Sequence, residues 1–185
     1  MKTIDIRLKA DEVSKLRSMI GKELSAYLHD EFQYTQSSSQ VVEIVVGDKT
    51  YYIYSFTEEQ DYFGTPEDVA VWSVYDEKLP VVDKKTFVRT PVNEKIKGIT
   101  LIQENQRVFN DGGQTYDVWL TRGIVFDLAE RQVAFEKDVW FSEEIIVHRG
   151  YDLSSSFSST DNFGDDWDKS LRTECSRIEQ EITPE

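Results

Sequence analysis

"GITLIQENQRVFNDGGQTYDVWLTRGIVFDLAERQVAFEKDVWF" (Gly98–Phe141) is the stretch on which the fold class turns. Its apolar positions are mainly β-branched and aromatic, which suits pleated, half-buried surface. "NDGG" (Asn110–Gly113) supplies residues that tolerate positive φ in a tight turn, and "AERQ" (Ala129–Gln132) separates "GIVFDL" from "VAFEK" at hairpin length. Strands following one another without alternating helices point to an antiparallel meander, and so to an α+β protein, not a doubly wound parallel sheet.

Working upstream, "VVEIVVGDKTYYIYSF" (Val41–Phe56) places two β-rich runs around Gly47-Asp48, a second hairpin. "EEQDYFGTPED" (Glu58–Asp68) reads as a loop in which Thr65 caps at most one helical turn that has Pro66 first, before "VAVWSVYD" returns to strand. Pro80 and Pro91 bracket a short or edge strand, because proline gives no N–H to a central ladder. From Asp11 to Glu31, Val13, Leu16, Ile20, Leu24, Tyr27 and Leu28 recur at helical spacing and predict an N-terminal amphipathic helix, followed by a polar loop "YTQSSSQ" (Tyr34–Gln40).

Downstream, the serine- and aspartate-rich "DLSSSFSSTDNFGDD" (Asp152–Asp166) is a connection. It leads to a predicted C-terminal helix with Trp167, Leu171, Cys175, Ile178 and Ile182 on one face and Asp165, Asp166 and Asp168 in its first turn. There is no repeat period, so the expectation is one α+β domain over 1–185: a mainly antiparallel sheet flanked by two amphipathic helices.

Composition bounds the function. Hydrophobic residues at 39% are enough for a core, and no apolar run approaches the ~18 residues of a membrane span. The start of the chain lacks a continuous apolar signal region, which points to a cytoplasmic protein. Cys175, the single cysteine, allows neither an internal disulfide nor a cysteine-based zinc site. A net charge of −14, spread over both halves, repels phosphates and anionic headgroups and attracts basic partners. Direct nucleic-acid binding and membrane binding are therefore not expected.

"DVWFSEEIIVHRGYDL" (Asp138–Leu153) brings His148 near paired acids. On a helix Glu144 and His148 would share a face, but the β-branched run favours a strand, where they are about 13 Å apart at Cα and cannot share one ion. Glu143, Glu144 and His148 are thus polar ends of a strand first and acid/base candidates second. His29 should lie opposite the first helix's apolar stripe, in solvent, and Cys175 should be a buried, inert thiol. Asp161, Asn162, Asp165, Asp166 and Asp168 are oxygen donors without the order of an EF-hand loop. No phosphate-binding glycine pattern or serine-hydrolase elbow occurs, so no cofactor, metal or catalytic set is expected.

These readings favour a non-enzymatic acidic interaction protein, immunity- or inhibitor-like, docking on a basic protein through aromatic anchors such as Tyr62, Phe63 or Trp72. The alternatives are a homo-oligomeric structural module and an enzyme using carboxylates with His148 in a cleft.

Overall fold

The chain folds into two antiparallel sheets and one short helix, in a computed structural model that describes residues 3–30, 39–78, 87–111, 113–165 and 167–184. In chain order the elements are β1 (Ile4–Ile6), α1 (Ala10–Arg17), β2 (Glu23–Asp30), β3 (Ser39–Val46), β4 (Lys49–Tyr62), β5 (Thr65–Tyr75), β6 (Phe87–Lys95), β7 (Gly98–Asn110), β8 (Gly113–Asp127), β9 (Gln132–Lys137), β10 (Ile145–Gly150) and β11 (Arg172–Glu181). The first sheet runs β10-β9-β8-β7-β11, with β1 parallel to β8 off this path; the second runs β5-β4-β3-β2-β6. The largest core cluster draws Leu24, Tyr27 and Ile53 from one sheet, Leu101, Phe126 and Phe135 from the other, and Leu16 from α1.

The meander expected over Gly98–Phe141 is β7-β8-β9, with neighbours in sequence paired antiparallel. Gly47 and Asp48 form the two-residue turn between β3 and β4, with Gly47 at φ 59°. Thr65 caps no helical turn: it pairs with Tyr62 across a second tight turn, Phe63-Gly64, whose φ values of 57° and 98° suit a hairpin following the strand twist. Pro66 and Pro91 stand on β5 and β6, which are edge strands, where a missing N–H costs no ladder bond. Most of the predicted Tyr34–Gln40 loop, and the Pro80 end of the β6 stretch, lie outside the described residues.

Both predicted terminal helices are corrected. The first ends at Arg17, with a turn at Met19–Lys22 in which Gly21 takes φ 86° and donates to Ile96 O; Leu24, Tyr27 and Leu28 belong to β2. Their helical spacing has a specific cause. A bulge at Ser25 shifts the register between Leu24 and Ala26, so Leu24 and Tyr27, three residues apart, reach the same core. His29 therefore sits on a strand and is only partly exposed, its ring 5.8 Å from Tyr27.

The predicted final helix is β11, an edge strand paired with β7 from Arg172↔Phe109 to Glu181↔Thr100. Its apolar residues do not share a face. Ile178 is 52% exposed, Ile182 joins the main core, and Trp167 and Leu171 pack on a separate cluster around Tyr116 and Val118. Cross-strand ion pairs such as Arg107–Glu174 at 3.0 Å suit a charged sheet edge. No helix among the described residues is long and apolar enough to cross a membrane.

Candidate functional site

One edge of β8 is shared by two strands: β1 pairs with Val118–Leu120 and β9 with 123–127. Arg122 stands at the handover, and it is also the extra residue of a bulge, since Ile102 pairs with Gly123 while Gln103 pairs with Thr121. A bulge re-aims side chains, and here it turns a guanidinium onto the buried carboxylate of Glu136. Arg122 Nη2 and Nε donate to Glu136 Oε1 at 2.9 and 3.1 Å, and Nε is 3.9 Å from Glu104 Oε1.

The network extends from there on both sides. Arg177 on β11 donates Nε to Glu104 Oε1 at 3.0 Å and Nη2 to Ser158 O at 2.7 Å. Ser158 N donates to Glu136 Oε1 at 3.0 Å, and His148 Nε2 lies 2.7 Å from Glu136 Oε2. Glu104 and Glu136 are 2% and 1% exposed, so each charge would be costly without these partners. Burial pushes the Glu136 carboxyl up, but His148, Arg122 and the Ser158 N–H outweigh it and hold the group below the usual carboxylate range.

Gly123 lets the lid of this network close. A Cβ there would stand 2.2 Å from Phe157 Cε2 and 2.7 Å from Phe135 O, so only glycine allows Phe157 to press on the strand. Phe157 in turn stacks on His148 at 5.4 Å. The connection around it holds two 3-10 turns, Leu153–Ser156 and Thr160–Gly164.

Beside the network a cleft with about 300 Å³ of free volume opens toward solvent. Its floor is polar, built from Glu104 and Gln106 of β7, Arg122 of β8 and Cys175 of β11. Its walls are aromatic. Trp140, whose carbonyl accepts from Ala70 N at 3.0 Å, stacks on Tyr62 at 4.6 Å, and Phe163 and Trp167 pack around Tyr116. Phe141 stands at the cleft 53% exposed, with Asp138 nearby in the lining. Gln106 Nε2 donates to Glu104 Oε2 at 3.2 Å, yet its Oε1 has no hydrogen-bond partner among the described residues although the side chain is only 4% exposed.

A wider groove of about 650 Å³ runs beside α1 past Arg7, Lys9, Val13 and Arg17. Its buried polar member, Gln103, is satisfied by Thr121 and Gln180. The cleft thus combines enclosure, aromatic walls and an open acceptor, as the groove does not.

The residues singled out from sequence scatter around this cleft. Tyr62 and Phe63 support its wall from behind, half-buried against the Tyr116 cluster. Trp72 is 2% exposed and packs in the core, so it presents no ring to solvent; Lys137 Nζ lies 5.9 Å from its ring. Glu143 accepts from Thr57 Oγ1, and the Glu144 carboxyl is pushed up by burial and by Asp138. Only "IIVHR" of "EEIIVHR" is strand, since β10 starts at Ile145 and leaves Glu143 and Glu144 in the connection before it, and His148 is more than strand trim, because it contacts a buried carboxylate. Cys175 faces Glu104, not an apolar stripe, and burial plus that carboxylate push its thiol up to about 12. Among the described residues no three His, Cys, Asp or Glu side chains converge as a metal site requires.

Sequence reasoning missed Glu104, Gln106, Arg122, Glu136, Trp140 and Arg177. Two signals were present: the polar run "QENQR" (Gln103–Arg107) inside an otherwise apolar strand, and Arg122-Gly123, a glycine in a strand interior of the kind that marks bulges and close approaches. Comparison with known proteins adds nothing to this geometry, since no family model, curated protein or solved structure matches the chain.

Proposed function

We propose that this chain is a non-enzymatic acidic binding protein that docks on a basic partner protein, in the manner of an immunity or inhibitor protein, with the mouth of the Trp140 cleft as its contact point. The observation that carries the reading is Phe141, a large apolar ring 53% exposed at the edge of a cleft whose lining includes Glu104 and Asp138. An exposed aromatic next to a concave, partly acidic surface is the usual form of a binding anchor. The net charge of −14 adds a field that speeds encounter with cationic surfaces.

Catalysis has less support. The thiol in the cleft is held far from thiolate, with a pKa pushed up to about 12. His148 is outside the cleft lining, with Nε2 on Glu136 and its ring face on Phe157. That His148–Glu136 contact is the one observation favouring an acid/base enzyme, and His148→Gln separates the readings: the docking account expects partner affinity to change less than about twofold.

Lysine- and arginine-rich peptides, titrated by fluorescence anisotropy at low and moderate salt, test docking itself. Affinity should fall by about tenfold or more between the two salts, and Phe141→Ser should weaken binding by about tenfold without moving the melting temperature. Failure of basic peptides to bind at low salt would end the reading.

A further inference from the structure

We propose that the cleft is a receptor for one guanidinium group, the head of an arginine side chain. The inference rests on the docking reading for the source of that arginine, and it names the group the partner inserts. Three features of the cleft point to this chemistry together.

The first is hydrogen-bonding demand. Gln106 lines the cleft 4% exposed, and its Oε1 lacks a partner among the described residues. A buried carbonyl oxygen without a donor is costly, so this acceptor calls for an N–H. Rotating the amide does not remove the need, because Nε2 would then turn away from Glu104 Oε2, to which it donates at 3.2 Å, and leave oxygen facing carboxylate. Glu104 Oε2 has acceptor capacity left beside it, its other neighbour being the weak donor Cys175 Sγ at 3.7 Å.

The second is charge. Glu104, Glu136 and Asp138 in and under the cleft face two guanidiniums, Arg122 and Arg177. Lys137, on which Glu143 and Asp138 both act, adds one cation and Glu143 adds one carboxylate, so one carboxylate is left over. Arg122 is directed at Glu136 through Nε and Nη2, and Arg177 at Glu104 and Ser158 O. The site therefore favours a ligand bearing one positive charge.

The third is shape. Trp140, Phe163 and Trp167 line a volume of about 300 Å³, together with the half-exposed Phe141. Aromatic faces attract cations, and a planar, weakly hydrated guanidinium stacks on them better than an ammonium does. A planar group also reaches two acceptors at once, here Gln106 Oε1 and Glu104 Oε2, as a point charge cannot.

The test follows tryptophan fluorescence of the whole chain during titration with N-acetyl-arginine amide, its citrulline counterpart, which keeps the shape and loses the charge, and its lysine counterpart. Saturable quenching by the arginine compound is expected, with citrulline at least about tenfold weaker and lysine between them. Quenching should weaken in Trp167→Phe and in Trp140→Phe, the two tryptophans that line the cleft. Gln106→Met, which keeps the volume and removes the acceptor, should weaken the arginine compound by about tenfold. Should that variant fold poorly by thermal melt, Asp138→Asn at the partly exposed rim replaces it, with an expected loss of about threefold to tenfold.

Equal binding of arginine and citrulline compounds, or no saturation by either, would overturn the proposal. The two readings fail separately. A basic peptide that binds with salt sensitivity while Gln106→Met and Asp138→Asn leave its affinity unchanged removes the guanidinium site and spares docking. Entry of the arginine compound without salt-sensitive peptide binding supports the site and removes docking.

Discussion

Lys137 is the residue with the least support from its surroundings. It is 1% exposed on β9, its Nζ has no hydrogen-bond partner among the described residues, and its pKa is lowered to about 7, chiefly by burial and then by Arg122, with Glu143 and Asp138 pulling the other way. An unfolded lysine keeps its proton up to about pH 10.5, so between about 7 and 10.5 the unfolded chain binds more protons than the folded one. Stability therefore rises with pH across that window, and the penalty of the buried charge is fully present below it. Lys137→Met should stabilise the protein by about 1–4 kcal/mol at about pH 6 and by clearly less at about pH 9, as read from urea midpoints. An equal effect at both pH values would show that the buried ammonium is not the cause. None of this was legible in the sequence, where Lys137 closes "VAFEK" as an ordinary polar strand end. A lysine's burial depends on what covers it, and the covering Trp72 comes from the other sheet.

At the scale of elements, the antiparallel strands were legible because alternation and turn chemistry are local. Gly47-Asp48 and Ala129–Gln132 carry their own instructions. The terminal helices were misread because the 3.6-residue pattern arose twice for non-helical reasons. In β2 the bulge at Ser25 converts a period of two into a step of three between Leu24 and Tyr27. In β11 the pattern is accidental, joining an exposed Ile178 to Cys175, which faces Glu104, and to Ile182 in the core beyond the strand. "RTECSRIEQE" has no strong β preference of its own; the open edge of β7 supplies a ladder from Arg172 to Glu181 and overrides local propensity. Ile178→Lys separates the two assignments. On the exposed strand it should change stability by less than about 0.5 kcal/mol, whereas burial in a helical stripe would make it cost several kcal/mol. Thermal and urea unfolding of the variant give the answer.

Across the whole molecule, charge and cleft act over different ranges. The spread negative field works at distances up to a Debye length of about 8–10 Å and selects cationic partners without choosing among them. Selection falls to the cleft, where Arg177, with Arg122 nearby, holds Glu104, and Glu104 in turn accepts from Gln106 Nε2 under the aromatic walls. The sequence displayed the field openly. It concealed the cleft, whose floor joins the β7-β8 hairpin to the distant β11 and whose walls come from two connections. Tyr62 and Phe63 do belong to its support, while Trp72 does not. The most direct measurement is a nitrogen-15 chemical-shift map of the chain titrated with an arginine-rich peptide. The account predicts shifts concentrated at Gln106, Trp140, Phe141, Ser159 and the Trp167 indole, fading as salt is raised. Shifts distributed over the acidic surface and absent from the cleft would contradict it.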